Sequence, residues 1–181
     1  MRALVVYESM FGNTHVVASK IADGLGGTYQ VTLVPVAEAT PDLLASADLL
    51  VVGGPTHMHG LSTAMTRRMA AHAAAKPDSG LSLDPDATGP GVRDLLKRPG
   101  SRQVLAAAFD TRLPGAPKST GQASRRIARS LERHGCLLIA APESFLVTPQ
   151  NTLADDEAAR ARRWGEALGV IATGFYVPSS A

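Results

Sequence analysis

Apolar residues follow two alternating spacings along the chain, and the alternation predicts strands that are followed by helices. Ala3–Tyr7 is a short continuous apolar run, as expected for a parallel strand that is buried on both faces. The next segment, 13–25, changes period, because its apolar residues Val17, Ile21 and Leu25 fall four apart on one face of a helix. The chain therefore begins with a strand, a turn and a helix.

The same alternation repeats along the rest of the chain. Further strands are predicted over 29–34, 48–53, 103–109 and 136–147. Further helices are predicted over 41–47, 61–75, 119–134 and 155–173, the last with Trp164, Leu168 and Ile171 on its inward face. Strands that alternate with helices pair in parallel through right-handed crossovers. The sequence thus predicts an α/β fold, a three-layer doubly wound sheet of five parallel strands, as one domain over residues 1–181.

One segment, 77–100, interrupts the alternation. It is rich in Pro, Gly, Asp and Ser, apart from a short helical piece over 92–97, and it is too short to be a domain. A loop of this length either covers a site or passes over the surface. Because the segment contains no aromatic residue, we expect a surface excursion.

The composition excludes several classes of protein. Hydrophobic residues make up 45% of the chain and charged residues 19%, which is typical of a folded globular protein. With a net charge of +2 and 4% aromatic residues, nucleic-acid binding is not expected. The lone cysteine, Cys136, excludes an internal disulfide, and we expect it to be a buried thiol. The absence of a signal peptide and of a long apolar run predicts a cytoplasmic protein without membrane contact.

Ligands of open parallel sheets bind beyond the carboxyl ends of the strands, where the strand order reverses. The loops that reach this edge follow the first, third and fourth predicted strands, at Glu8–Thr14, Gly53–Gly60 and Asp110–Gly115. These three loops are therefore the candidates for a shared binding site.

The first of these loops suits an anion. Ser9 and Thr14 offer hydroxyl groups, Gly12 permits a tight turn, and backbone amides point outward ahead of a helix N-terminus. An ordinary helix cap formed by Asn13 or Ser9 explains the same residues equally well. The loop has neither the Walker pattern nor the dinucleotide glycine pattern, so a single phosphate is the anion that remains.

The run Ser9-Met-Phe-Gly-Asn-Thr14, which follows a buried first strand, resembles the phosphate loop of the flavodoxin superfamily. The order of elements agrees over about residues 2–173. The second loop, 54–60, reads Gly-Pro-Thr-His-Met-His-Gly and is similar to the segment that lies against the isoalloxazine ring in that superfamily. The resemblance implies a flavodoxin-like fold with strand order 2-1-3-4-5 and noncovalently bound FMN.

The resemblance also implies which residues contact FMN, and it identifies no catalytic residue. The implied contacts are Ser9, Met10, Phe11, Gly12, Asn13, Thr14, Pro55, Thr56, His57, Met58, His59, Gly60, Phe109, Asp110, Thr111, Arg112 and Gly115. In the third loop, Asp110 and Arg112 orient the pyrimidine edge of the flavin, bind substrate, or form an incidental salt bridge in an exposed turn.

Three functions stay open. An aromatic residue at the position of Phe11 resembles the NAD(P)H:quinone oxidoreductases of the superfamily. Short-chain flavodoxins usually carry a hydroxyl residue at this position. The second loop also has His57, Met58 and His59 where flavodoxins usually stack Trp or Tyr. The chain is therefore expected to be an electron carrier that docks with a redox partner protein, or an oxidoreductase that passes electrons from NAD(P)H to a small quinone-like acceptor. A flavodoxin-fold binding module that has lost FMN is the alternative.

The remaining histidines do not change this interpretation. His57 and His59 form a His-x-His pair, but Asp110 is the only obvious further ligand in the neighbouring loops, so no metal is expected. His15 and His72 are predicted to lie on helix surfaces.

Overall fold

A parallel sheet with helices on both faces brings the predicted loops to one edge. The computed structural model describes residues 1–98 and 103–175. The strands are β1 (Arg2–Tyr7), β2 (Gln30–Pro35), β3 (Leu49–His57), β4 (Gly60–Leu61), β5 (Leu105–Arg112), β6 (Leu137–Leu138) and β7 (Glu143–Leu146). The α-helices are α1 (Asn13–Leu25), α2 (Pro41–Ser46), α3 (Ala64–Ala74), α4 (Val92–Leu95), α5 (Pro117–Thr120), α6 (Ala123–Arg133) and α7 (Glu157–Gly174).

The strands lie in the predicted order. β1 pairs in parallel with β2 and β3, and β3 pairs in parallel with β5. Val5 lies opposite Leu33 on one side and Val51 on the other, and Val51 lies opposite Ala107. β6 and β7 both pair in parallel with β5 and extend the sheet beyond it. The predicted fold class and strand order are therefore confirmed.

The fifth predicted strand is divided into two pieces. The sequence predicts it over 136–147, whereas β6 and β7 are separated by residues 139–142. Pro142 has no backbone N–H and a fixed φ, which interrupts a ladder of strand hydrogen bonds. A further strand that the sequence does not predict, β4, pairs antiparallel with the end of β3.

Each face of the sheet has its own hydrophobic core. Val5 belongs to the core that contains α1 and α7, and Val6 belongs to the core that contains α6. This division follows from the two-residue period of strand side chains. The predicted inner face of α1 is confirmed, since Val17, Ile21 and Leu25 are fully buried.

Helices α1 and α7 approach each other closely because both carry a glycine at their contact. A Cβ on Gly24 would lie 2.2 Å from the carbonyl oxygen of Arg162, and a Cβ on Gly165 would lie 2.3 Å from that of Ile21. Ile171, which the sequence places on the inward face of α7, is 41% exposed. That prediction is wrong because the buried stripe runs through Gly165 and Leu168, and the spacing of large apolar residues does not reveal a glycine contact.

Two strands run further than predicted, and one helix is broken. β3 continues to His57 and β5 to Arg112, because Gly54 and Pro55 stay in register with β5 beyond the predicted strand ends. The predicted helix over 119–134 is split into α5 and α6 at Gly121, whose φ of 80° is incompatible with a right-handed helix.

The segment 77–98 packs against the first predicted loop, so the predicted surface excursion is wrong. The N–H of Asp84 donates to the carbonyl of Met10 at 2.9 Å, and Val92 is fully buried. Residues 99 and 100 of that prediction lie outside the described residues. The composition gave no signal because backbone groups and a few scattered apolar residues make these contacts.

The structure also locates the lone cysteine and two histidines outside the predicted loops. Cys136 is half-buried just before β6 instead of buried within a strand. His15 is half-buried instead of on the surface, because its ring stacks on Tyr7 with centroids 4.5 Å apart. His72 is exposed, as predicted. No helix among the described residues is long and apolar enough to cross a membrane.

Candidate functional site

A cleft of about 160 Å³ lies at the carboxyl edge of the sheet and brings the three predicted loops together. Its lining comes from the loop after β1, the ends of β3 and β5, and the chain after β7. The lining residues are Met10, Phe11, Asn13, Thr14, Pro55, Thr56, His57, Thr111, Arg112, Leu113, Val147 and Asn151. Nine of these are residues that the sequence assigns to FMN contact, and the order of the strands is what places them side by side.

Gly12 makes the tight turn of the first loop. Its φ is 88°, in the left-handed region, and its N–H donates to the Ser9 hydroxyl at 3.1 Å. α1 then begins at Asn13 without any side-chain cap. The helix-cap interpretation from the sequence is therefore wrong, because Ser9 bonds the N–H of the residue before the helix. The first N–H groups of α1 remain available to an anion.

Two side chains of the first loop are tied to distant parts of the chain. Thr14 is buried, and its hydroxyl lies 2.7 Å from the hydroxyl of Thr111. The Asn13 amide donates to the carbonyl of Asn151 at 3.0 Å. Sequence reasoning missed Asn151, although its turn-forming neighbours Pro149-Gln150-Asn151 were a possible signal. These bonds fix the first loop against both β5 and the chain after β7.

The second predicted loop is mostly extended strand that ends in a two-residue turn. Met58 and His59 have φ of 42° and 70°, and they connect His57 of β3 to Gly60 of β4. Two positive φ values in a row are typical of a type I′ hairpin turn. Met58 at the tip of this turn is 80% exposed, and His59 is also exposed. Of the predicted residues here, only those before the turn line the cleft.

His57 lies half-buried at the end of β3 and lines the cleft. Burial lowers the pKa of its imidazole; the nearby carboxylate of Glu8 opposes this change, and the guanidinium of Arg67 adds to it. The ring is therefore biased toward its neutral form, which has one N–H donor and one acceptor nitrogen.

Asp110 is fully buried and serves the fold, so the predicted exposed turn with a salt bridge is wrong. Its carboxylate accepts the N–H of Ser124 at 2.8 Å and the hydroxyl of Thr56 at 3.0 Å. The Thr56 oxygen in turn accepts the N–H of Ala123 at 2.9 Å. Together these bonds satisfy the first N–H groups of α6. The sequence gave no hint of this role, because the two segments are joined only by the fold.

Arg112 organises the chain after β5 instead of pairing with Asp110. Its guanidinium donates to the carbonyl of Gly115 at 2.8 Å and to the hydroxyl of Thr120 at 3.0 Å. Gly115 is exposed and lies away from the cleft lining. Phe109 is fully buried behind the cleft, where its ring packs edge-on against Trp164, with centroids 6.4 Å apart.

A buried polar network lies next to the second loop and connects the residue after β1 to α3 and α4. The sequence did not predict this network. Glu8 accepts the N–H of Val92 at 2.8 Å and the hydroxyl of Ser62. Arg67 donates to Ser62 at 2.9 Å and to Asp94 at 3.1 Å. A carboxylate directly after an apolar strand was the available signal. The network ties α3 and α4 to the end of β1.

The site is suited to binding a neutral ring system that carries an anionic tail. The first residues of α1, Asn13 and Thr14, line the cleft, while Pro55 and half-buried Phe11 offer apolar surface. His57 and His59 do not belong to a metal cluster, since the described residues contain no group of three or more His, Cys, Asp or Glu side chains that could hold a metal.

Comparison with known proteins agrees with this geometry. The sequence model of the flavodoxin family matches residues 5–111, more than half of the chain. No curated protein matches the chain significantly.

Solved structures share the fold at low sequence identity. A flavodoxin from the domain Archaea is 20% identical with a TM-score of 0.65, and the match covers 96% of this chain and 99% of that one. Flavodoxin 1 from Bacillus cereus is 19% identical with a TM-score of 0.62, covering 94% and 97%. A WrbA-like flavodoxin protein from Agrobacterium tumefaciens is 18% identical with a TM-score of 0.60, covering 96% and 98%.

Proposed function

Because the chain belongs to the flavodoxin family, we propose that it binds FMN in the cleft and moves electrons through it. Flavodoxins are redox proteins, so the family implies a redox function for this chain. We further propose that FMN is the cofactor, that residues 1–181 form one FMN-binding domain, and that the cleft residues hold the cofactor.

The observation that carries the proposal is the uncapped start of α1. Gly12 turns the chain with φ 88°, and no side chain accepts the first N–H groups of the 13-residue helix. A phosphate at this position would receive several N–H donors and the favourable end of the helix dipole. A flavodoxin-fold module that had lost FMN would have no use for these free donors, so we favour FMN binding over that alternative.

The residues present fit FMN. The first loop supplies N–H donors and the Thr14 hydroxyl for the phosphate, and Pro55, Thr56 and His57 supply one wall for the ring. Thr111 and Arg112 supply the opposite side. FMN, when bound, supplies the redox chemistry, and the protein supplies position, exposure and charge.

The chain's own residues set the surroundings of the ring. Half-buried Phe11 shields the phosphate end from water, and the neutral His57 ring offers an N–H donor without adding a full positive charge at neutral pH. The exposed turn at Met58 and His59 leaves one side accessible to an electron donor or acceptor. An accessible edge serves an electron carrier that docks with a redox partner and also an oxidoreductase that uses NAD(P)H and a small quinone.

The test is a titration of the flavin-free protein with FMN, riboflavin and FAD, followed by flavin fluorescence. FMN should bind with one equivalent and at least about tenfold more tightly than riboflavin, since one charge-assisted phosphate contact exceeds about 1.4 kcal/mol. Equal affinity for FMN and riboflavin would refute the phosphate assignment. Steady-state turnover with NADH or NADPH and a benzoquinone then separates the oxidoreductase from the carrier.

A further inference from the structure

A groove lined by cations lies beside the candidate site, on the face of the sheet that carries α6. It lies between α4 and α6 and has a volume of about 850 Å³. Glu132 is the one carboxylate among its lining residues, and Leu61 and Leu96 supply apolar surface. Its cations are Arg93, Lys97, Arg126, Arg129 and Arg133. We call it the basic groove.

These cations have few counter-charges nearby: the charge of Lys97 acts on the Asp94 carboxylate, and Glu132 precedes Arg133 in the chain. Within residues 1–98 and 103–175, none of the five takes part in an ion pair. Arg93 donates only to neutral acceptors, the carbonyls of Ser62 at 2.9 Å and Leu61 at 2.8 Å. Arg129 and Arg133 are exposed one turn apart on α6. The basic groove therefore carries a surplus positive potential that can attract an acidic surface.

The basic groove borders the turn that leaves the proposed flavin accessible. A Cβ on Gly60 would lie 3.1 Å from the guanidinium carbon of Arg126. Leu61, which follows Gly60 in β4, also lines the groove. A protein that occupies the basic groove is thus placed next to the exposed Met58 and His59.

We propose that the basic groove docks the acidic face of the protein that exchanges electrons with this chain. The inference rests on the proposed function and adds the class of partner to it. Contacts between electron-transfer proteins are small and weak, and complementary charge brings the two surfaces together in the productive orientation. Among the described residues the groove has five cations and one carboxylate in its lining, so an acidic partner is attracted and a basic one is repelled.

Two other polyanions fit the basic groove less well. No aromatic side chain of the described part of the chain lines it, and stacking on aromatic residues is a main source of affinity for single-stranded nucleic acid. A small polyphosphate calls for converging donors, whereas residues 126–133 spread their charges over about 10 Å of helix. A protein surface with several carboxylates matches this extended row.

The test uses the FMN-loaded protein, reduced in the stopped flow, with two c-type cytochromes, one of acidic and one of basic surface. R129E/R133E reverses two of the three cations that α6 contributes to the groove, and Arg126 is left in place. R162E/R163E is the charge-matched control, because it makes the same charge change at exposed positions of α7 on the other face of the sheet. It also breaks the exposed Arg162–Glu166 pair at 3.2 Å, so a thermal unfolding curve of each variant checks that both are folded. Rates are measured at ionic strengths of about 20 mM and about 300 mM, which span strong and weak screening.

With wild type, the rate for the acidic cytochrome should fall about tenfold as salt rises, and the rate for the basic cytochrome should not fall. R129E/R133E should lower the low-salt rate for the acidic cytochrome about tenfold, and R162E/R163E should change it less than about twofold. Equal losses in both variants would overturn the proposal, because they would show that the net charge of the chain sets the rate. No loss in R129E/R133E would also overturn it, because the groove would then have no part in docking.

Binding measurements separate this inference from the proposed function. Fluorescence anisotropy of a labelled acidic cytochrome reports docking whether or not FMN is present, so a chain that fails to bind FMN still tests the groove. Inorganic tripolyphosphate is titrated by calorimetry at about 150 mM salt, where exposed charges are strongly screened. Saturable one-to-one binding of tripolyphosphate, lost in R129E/R133E, together with no binding of the acidic cytochrome, would replace the protein partner by a small polyphosphate.

Discussion

The hydroxyls of Thr14 and Thr111 lie 2.7 Å apart and join the first turn of α1 to the end of β5. Both side chains are buried and line the cleft. A hydroxyl has one O–H to donate and two lone pairs to accept. When Thr111 donates to Thr14, the Thr14 O–H is free to donate to a phosphate. The pair thus holds a donor in place before any ligand arrives.

Thr14→Val should weaken FMN binding by about 1 to 3 kcal/mol, because valine keeps the shape of threonine and removes the donor to a charged oxygen. Thr111→Val should weaken it less. The double variant should bind no more weakly than Thr14→Val, since the two hydroxyls act through one contact. Titration with riboflavin is the control, and an equal loss for riboflavin would mean that the pair serves packing instead of phosphate binding.

Gly12→Asp should abolish FMN binding, whereas Gly12→Asn should retain most of it. The two side chains have nearly the same size, no atom lies within 4 Å of the added Cβ, and asparagine and aspartate tolerate the left-handed φ of 88° better than other residues. The difference is then the negative charge beside the phosphate. Equilibrium dialysis with FMN measures it, and equal retention of FMN by the two variants would contradict the assignment of the first loop.

Asp110→Ala should lower the free energy of unfolding by about 2 to 4 kcal/mol, because it leaves the buried N–H of Ser124 and the hydroxyl of Thr56 without their acceptor. Urea unfolding of the flavin-free protein measures the loss. Asp155→Ala at an exposed position should stay within about 0.5 kcal/mol of wild type. A loss as small as that control would show that Asp110 does not hold α6.

Gly165→Ala should destabilise the fold by about 1 to 3 kcal/mol through overpacking, although alanine favours helices by about 1 kcal/mol over glycine. Its Cβ would lie 2.3 Å from the backbone oxygen of Ile21, which cannot rotate away. Gly174→Ala at the end of the same helix meets no atom of the described residues within 4 Å and should be neutral or stabilising. Thermal unfolding compares the two, and equal melting temperatures would contradict the close contact of α1 and α7.

Much of the fold could be predicted from the sequence because it is encoded in local periods. The continuous apolar run of β1 and the four-residue spacing of Val17, Ile21 and Leu25 each report burial directly. The alternation of strands and helices then restricts the topology. Pro142 and Gly121, which interrupt the last strand and a helix, are also present in the sequence. Whether such residues break an element depends on the neighbouring elements, so the sequence alone did not predict the breaks.

The sequence predicts which three loops converge, because the carboxyl ends of parallel strands meet at one edge, and nine predicted residues line the cleft. It does not predict which side chains in those loops bond to one another. The turn at Gly12 lies within a single loop, and its residues were read from that loop. The bonds of Asp110 to α6 were not predicted because its partners, Thr56 and Ser124, come from two other elements. Asn151 and Glu8 were missed for the same reason, since their partners Asn13 and Val92 lie far away in the chain.

His57 should make stability depend on pH in a way that its replacement removes. Burial lowers the pKa of His57 in the folded protein, with Glu8 opposing and Arg67 adding to the shift, while the unfolded chain has the ordinary value of about 6.5. As pH falls through that ordinary value, the imidazole of the unfolded chain becomes protonated while that of the folded protein stays mostly neutral. The free energy of unfolding therefore falls, and the fall from this residue ends once pH passes the lowered pKa.

The measurement is urea unfolding of the flavin-free protein at several pH values from about 7.5 down to about 5, a window that begins above the ordinary imidazole pKa. His57→Gln keeps polarity but cannot bind the proton, so its stability should fall less over this window than that of wild type. His72→Gln, at an exposed position of α3, should keep the wild-type slope. Since other groups also titrate, the informative quantity is the difference in slope between the two variants. Identical slopes of unfolding free energy against pH in the two variants would show that the folded environment of His57 does not disfavour its charged form. A shallower slope in His72→Gln alone would contradict the assignment of the effect to His57.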